Sequence, residues 1–199
     1  SAAVAKSSLH LSDIMKTRLN SIFHWFETRI EPYPSESPKT PAKGTFRFIW
    51  GSLEGVRPWI FALAVFTAGI GIMEALLFQF MGKLVDWLGK YTPQTLFAEK
   101  GWAIFGMAAM MVLAVFWHFA ASNIRLQTLQ GVFPMRLRWN FHRLMLNQSL
   151  GFYQDEFAGR VSAKVMQTAL AVRDVVMTVA DMVVYVLVYF LTSGLILAA

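Results

Sequence analysis

Glu74 is the residue of this sequence with the most unusual setting for chemistry, since it lies near the middle of an apolar run. In a membrane-spanning helix a charged carboxylate costs at least ~2.5 kcal/mol, so its side chain is expected to face protein or a water-filled cavity. One interpretation is a residue on a translocation path that contacts a substrate or a proton. The alternative is a protonated or hydrogen-bonded glutamate that links helices. Gln79 is its nearest polar companion along the chain.

The remaining polar residues form no catalytic or metal-binding pattern. The sequence has no cysteine, which excludes disulfides and thiolate ligands. It has no paired carboxylates, no Ser/His/Asp grouping and no Gly-x-x-x-x-Gly-Lys-Ser/Thr phosphate loop. We therefore expect no catalytic residue and no metal here, and His118 is interpreted as a lone histidine. The histidines, none with metal-ligand spacing, are His10, His24, His118 and His142.

Three apolar blocks hold the residues that could position Glu74. Hydrophobic residues make up 56% of the 199 residues and charged residues 15%. The excess is concentrated at 58–82, 101–121 and 175–199, each about the 20 residues that a helix needs to cross the bilayer. The sequence therefore predicts an all-α, polytopic bundle of transmembrane helices. Asp181, near one end of the third block, is expected to make a structural contact, for example with Arg125.

The basic residues favour a membrane orientation over nucleic-acid binding, because they flank the apolar blocks. Of the 18 Lys and Arg residues, eight precede the first block, three follow it and seven lie between the second and the third. Basic loops stay in the cytoplasm. We expect the N-terminus and residues 122–174 there, and residues 83–100 outside.

The first 44 residues are predicted to form a separate cytoplasmic region. Residues 9–30 have the periodicity of an amphipathic helix, which would lie on the membrane surface or pack on another part of the protein. A linker follows in which prolines prevent regular helix. Residues 45–56 suit a short interfacial helix because aromatic residues accompany Arg47. The linker prolines are Pro32, Pro34, Pro38 and Pro41.

The second and third spans are predicted to continue far beyond the membrane. A helix from Gly101 to about Asn147 would be ~70 Å long, over twice the hydrocarbon thickness. Pro134 is the expected position of a kink. A break at 148–153 precedes another long helix that begins near Arg160. The prediction is thus a bundle fragment with long helices that extend into the cytoplasm.

The tip of this helical hairpin carries the most informative motif. It reads Leu150-Gly-Phe-Tyr-Gln-Asp-Glu-Phe-Ala-Gly-Arg-Val-Ser-Ala-Lys164, followed by Val172-Arg-Asp174. The motif resembles the first intracellular loop of exporter-type (type IV) ATP-binding cassette (ABC) transporters. The resemblance extends upstream to the basic "elbow" helix and to Gly82–Asp86 at the end of a proline-led first span. It covers about residues 44–199. Met166-Gln-Thr-Ala departs from the family, which usually has an acidic residue there.

The resemblance implies a coupling helix that contacts a nucleotide-binding domain, with Phe157 inserted in a groove of that domain. Gly159 would let the chain turn, and Asp155 and Glu156 would favour a helix N-terminus. The alternative is a solvated turn between two helices. The residues implied in the contact are Phe152, Tyr153, Gln154, Asp155, Glu156, Phe157, Gly159 and Arg160.

The function implied by the resemblance is that of an ATP-driven exporter in the inner (plasma) membrane, with residues 45–199 as the first part of its transmembrane domain. Lipids, drug-like molecules or other amphiphiles are the implied substrates. The motor would be a nucleotide-binding domain of the same or a partner chain, with ATP and Mg²⁺ bound there, in a dimer of half-transporters. The expected surroundings are membrane lipid, and no nucleic acid is expected.

The chain is accordingly expected to be part of a longer protein. The complete protein would hydrolyse ATP, whereas these residues contain no nucleotide-binding motif. Two other functions stay open. A proton-coupled secondary transporter would make use of an intramembrane glutamate. A non-catalytic membrane scaffold would use the helical hairpin for assembly.

Overall fold

The computed structural model describes residues 17–18, 20–36, 43–149, 151–152 and 158–198. Within these ranges the secondary structure is helical and includes no strand, so the predicted all-α class is confirmed. Residues 20–27 form a short helical segment ahead of the main elements. Those elements are α1 (Thr45–Ser52), α2 (Arg57–Lys90), α3 (Pro93–Asn123), a π-helical segment (Ile124–Gly131), α4 (Val132–Leu146), α5 (Ala158–Met177), a second π-helical segment (Thr178–Val183) and α6 (Val184–Ala198).

Three helices of the described chain are long and apolar enough to cross a membrane, as the sequence predicts. The first has 34 residues, Arg57–Lys90. The second has 52 residues, Thr95–Leu146, and the third has 40, Gly159–Ala198. Each exceeds the roughly 20 residues that a span requires. The predicted starts of the first and third spans agree with the structure to within two residues.

The second of these helices begins earlier than the sequence predicts, at Pro93 instead of near Gly101. The local cause is a cap. The Thr92 N–H donates to the Thr95 hydroxyl over 3.0 Å, and the Thr95 hydroxyl is also 3.0 Å from the Thr92 carbonyl. A proline in the first turn needs no hydrogen-bond partner for its nitrogen. The helix therefore starts within residues 83–100, the segment expected to connect the first two spans.

A stretch of π-helix precedes Pro134 inside the long second helix. A proline lacks the N–H that an α-helix uses, and its ring would clash with the carbonyl four residues earlier. The π-helical segment Ile124–Gly131 comes directly before α4. Each hydrogen bond of a π-helix spans five residues, one more than in an α-helix. The helix thus continues through Pro134 to Leu146. The irregularity predicted at the proline is present as a π segment that precedes it.

The helices form two compact units. One comprises residues up to Arg57 together with Asn123–Arg173, and the other comprises Pro58–Ser122 together with Asp174–Ala199. The first unit has a core of fully buried side chains, among them Ile30, Val56, Leu129, Phe133 and Leu137. The second unit contains the apolar parts of the three spans. The predicted division of the chain at residue 44 stays a prediction.

In the first unit, residues 30–36 form what we call the N-terminal strap, which lies along α4. Arg136, Trp139 and Arg143 recur at three- and four-residue steps and so share one face of that helix. The Arg136 guanidinium donates to the Glu31 carbonyl over 2.8 Å, and the Trp139 indole N–H donates to the Pro34 carbonyl over 3.2 Å. These donors supply partners for strap carbonyls that lie outside regular secondary structure.

Arg143 makes the densest of these contacts. One of its guanidinium nitrogens lies 3.0, 2.9 and 2.7 Å from three successive carbonyl oxygens of the strap, those of Pro34, Ser35 and Glu36. Just upstream, the Phe26 carbonyl accepts from the Thr128 hydroxyl over 3.2 Å. Phe26 and the strap thus contact another part of the same protein. The placement of the predicted amphipathic helix over residues 9–30 stays a prediction.

Gly55, in the turn between α1 and α2, requires the absence of a side chain. Its φ of 84° is in the left-handed region, which side chains disfavour. A Cβ atom there would also lie 2.5 Å from a guanidinium nitrogen of Arg136. Glycine therefore allows the backbone conformation of the turn, and it also leaves space for the arginine that holds the strap.

We expect Gly55→Ala to destabilise the protein by about 1–3 kcal/mol, since it combines backbone strain with a steric conflict. Gly51→Ala is the matched control, because Gly51 lies in α1 with open space around its Cβ position. That change should be neutral or stabilising by about 0.5–1 kcal/mol. Thermal unfolding of both variants in detergent checks this, and an unchanged melting temperature for Gly55→Ala would refute the account.

Candidate functional site

Small residues on α2 let another helix approach closely in the second unit. Leu63, Thr67, Gly71 and Ala75 are the buried positions of α2 and recur every four residues, so they form one stripe. A Cβ atom on Gly71 would lie 3.3 Å from the backbone nitrogen of Tyr189 in α6. Transmembrane helices use such small residues for close packing, since lipid supplies no hydrophobic force between them.

Polar contacts follow the same stripe. The Thr67 hydroxyl donates to Asp181 Oδ1 over 3.0 Å, and two turns further on the Tyr185 hydroxyl donates to Glu74 Oε2 over 2.5 Å. Residue numbers rise together on the two partners, so α2 runs parallel to the helix that contains Asp181 and Tyr185. A parallel arrangement is what the first and third spans of a chain that crosses three times must have.

We expect Gly71→Leu to weaken the packing of α2 on α6 by about 1–3 kcal/mol, the usual cost of overfilling a packed contact. Gly106→Leu in α3 is the control, since the Cβ position of Gly106 has no neighbour within 4 Å. The melting temperature of each variant in the same detergent is the measurement. Equal losses for the two glycines would contradict the packing described here.

Glu74 is the centre of a cluster that joins three helices. Tyr185 reaches it from α6, as described, and His118 reaches it from α3, with His118 Nε2 3.9 Å from Glu74 Oε1. That separation exceeds a hydrogen bond but allows ionic attraction if the imidazole is protonated. The side chains of Glu74 and His118 are 35% and 49% exposed. The carboxylate is therefore partnered and still accessible.

His118 also contacts its own helix. Its Nδ1 lies 3.0 Å from the Ala114 carbonyl oxygen, and a carbonyl can only accept a hydrogen bond. A hydrogen bond there requires a proton on Nδ1, and Nε2 is the nitrogen that faces Glu74.

Trp117 fixes α3 against α2 next to the cluster. Its indole N–H donates to the Phe66 carbonyl over 2.7 Å, and its ring is 4.7 Å from the Phe66 ring. The indole occupies the space in which a Cβ atom of Gly69 would lie, 2.7 Å from the nearest ring atom. The absence of a side chain at Gly69 therefore admits the tryptophan, and the neighbouring His118 is held on the side of Glu74.

The hydrogen bond between Tyr185 and Glu74 is expected to show energetic coupling in a double-mutant cycle. Tyr185→Phe removes the donor and Glu74→Leu removes the acceptor, whereas glutamine would keep an acceptor oxygen. Hydrogen bonds between membrane helices are worth about 0.6 kcal/mol on average and up to about 1.7, and we expect a coupling near the upper value because the acceptor is ionisable. Tyr189→Phe is the control, since the Tyr189 ring stacks on Tyr185. Reversible unfolding in mixed micelles provides the free energies, and a coupling of zero would rule the bond out.

The structure brings together only some of the predicted site residues. It joins Glu74 to His118 and Tyr185, whereas the hydrogen bonds of this cluster do not include the half-buried Gln79. Among the predicted coupling residues, Phe152 donates its N–H to the Ser149 carbonyl over 3.1 Å. Gly159 and Arg160 are exposed in the first turn of α5. The others, Tyr153, Gln154, Asp155, Glu156 and Phe157, lie outside the described residues.

The sequence reasoning missed His118 and Tyr185 as partners of Glu74. His118 was taken for an isolated histidine, although it follows Trp117 in an apolar span. A usable signal was that each of the three spans carries a polar or titratable side chain, namely Glu74, His118 and Tyr185. No group of three His, Asp or Glu side chains within the described ranges could hold a metal ion.

Comparison with known proteins gives one informative relative. The chain is 67% identical over 180 residues to a protein of Haemophilus influenzae named "Uncharacterized ABC transporter ATP-binding protein". The likeness supports an ABC transporter. The aligned part covers 90% of this chain and 29% of the relative, so the chain spans less than a third of that protein's length. No family model matches the chain, and no solved structure matches it.

The chain is thus similar to a protein named as an ABC transporter, and it has three helices that are long and apolar enough to cross a membrane.

Proposed function

We propose that residues 45–199 are the first part of the transmembrane domain of an ATP-driven ABC exporter that moves lipids, drug-like molecules or other amphiphiles across the inner membrane. The observation that carries this proposal is the relative of 67% identity named as an ABC transporter, in combination with three spans of which two are far longer than a membrane requires. Residues 1–44 would be a cytoplasmic segment with a proline-rich linker.

The energy source would lie outside these residues. A nucleotide-binding domain of the same or a partner chain would bind ATP and Mg²⁺, and two half-transporters would form the working dimer. Helices that continue beyond the membrane are suited to pass its movement to the spans. The connection between α4 and α5, with Phe157 inserted in the nucleotide-binding domain, would be the contact, and the N-terminus would be cytoplasmic.

We expect Phe157→Asp to uncouple ATP hydrolysis from transport, because a charged side chain would not enter an apolar groove. In proteoliposomes that contain the complete transporter, movement of a fluorescent lipid analogue should fall at least tenfold while MgATP hydrolysis persists. Phe157→Leu keeps the apolar character and should retain transport. Normal transport by Phe157→Asp would overturn the assignment of the coupling contact.

A second function is favoured by the cluster of Glu74, His118 and Tyr185. A carboxylate beside an imidazole and a phenol, accessible within a span, is an arrangement that could bind and release a proton. In a proton-coupled secondary transporter, uptake would need a proton gradient and no ATP. The same proteoliposomes separate the two functions: movement driven by MgATP and insensitive to a protonophore supports the exporter, and movement that a protonophore abolishes without ATP supports the secondary transporter.

A further inference from the structure

A cavity of about 670 Å³ lies in the first unit, between α4, α5 and the N-terminal strap. This volume is in the range of about 300–1,000 Å³ that is typical of small-molecule sites. Tyr33 of the strap forms one wall, where its ring meets the ring of Trp139 edge-on at 5.5 Å. The cavity belongs to neither the Glu74 cluster nor the predicted coupling contact.

Most of the cavity wall is apolar. Some of these side chains retain large exposed fractions, with Met135 and Met166 at 48% and Leu146 at 65%. Methionine side chains are flexible and polarizable, and they adapt to varied apolar groups. The cavity could therefore cover an alkyl chain. The apolar lining residues are Met135, Met145, Leu146, Val161, Val165 and Met166.

The polar part of the wall carries the positive charge of Arg138. His142 and the hydroxyl-bearing Tyr33 and Ser162 line it as well, and none of the described lining residues is acidic. An anionic oxygen in the cavity would complement the guanidinium charge.

We propose that this cavity binds an amphiphile that has one anionic head group, a phosphate or a carboxylate, and a single alkyl tail. The head lies against Arg138 and His142, and the tail lies along the methionine and valine side chains of α4 and α5. Charge complementarity and volume favour this occupant. The hydrogen bonds of Arg143 to the strap hold the Tyr33 wall in place, so strap and ligand stabilise each other.

The test measures binding of tritiated octyl phosphate to the purified protein in nanodiscs of phosphatidylcholine, with empty nanodiscs as the background. Saturable binding of one molecule per chain is expected. Octyltrimethylammonium, with the same tail and the opposite charge, and inorganic phosphate, with no tail, should each compete at least tenfold less well than unlabelled octyl phosphate. Competition by octanoate shows whether a carboxylate head suffices, and either result agrees with an anionic site.

Variants locate the site. Arg138→Met should weaken binding at least tenfold, and Met166→Trp should abolish it by filling the cavity while Arg138 is kept. Arg47→Met removes an exposed arginine outside the cavity and should bind as the parent protein does. Melting temperatures confirm that each variant is folded.

Three results would overturn the proposal. The first is undiminished binding by both cavity variants. The second is that the cationic or the tail-free compound competes as well as octyl phosphate. The third is no saturable binding at all, as expected if another part of the protein fills the cavity. Because no ATP and no transport are involved, failure here leaves the proposed function unaffected.

Discussion

The hydrocarbon of a membrane offers no hydrogen-bond partner, and this constraint governs most of what the chain does. Backbone groups must be satisfied within each span, so the apolar blocks form continuous helices. The same constraint applies to the few polar side chains inside them. Asp181 accepts a hydrogen bond from Thr67 and Glu74 accepts one from Tyr185. The polar groups that are costly in lipid thus become the contacts that specify which helices pair.

The first unit satisfies the hydrogen-bonding groups of its backbone differently. Prolines and turns keep the strap out of regular structure, so its carbonyls need external donors. A row of guanidinium and indole groups on α4 provides them. Gly55 supplies the left-handed turn beside the same row, and a Cβ atom there would require the Arg136 guanidinium to shift. The strap, the turn before α2 and α4 therefore form one connected structure.

The sequence was sufficient to predict the helical class, the three spans and the long extensions, because apolar block length and proline position are local signals. It was insufficient for the contacts. The four-residue stripe through Thr67 and Gly71 is visible in the sequence, but its partner helix is not. Tyr185 looks like any aromatic residue of a span until α6 is packed beside α2. The start of α3 was misplaced because Thr92 and Pro93 read as turn residues, whereas the hydrogen bonds between Thr92 and Thr95 cap a helix.

Arg143 holds the strap through three main-chain oxygens, and this mode of contact has an evolutionary consequence. Every residue type presents the same carbonyl, so the identities of Ser35 and Glu36 are free to drift among descendants of a common ancestor. The arginine has less freedom, since one of its nitrogens must lie within hydrogen-bond distance of all three oxygens at once. Sequence differences should thus accumulate in the strap more than in the helix that binds it. Two lineages could differ widely in this linker and still fold it in the same place.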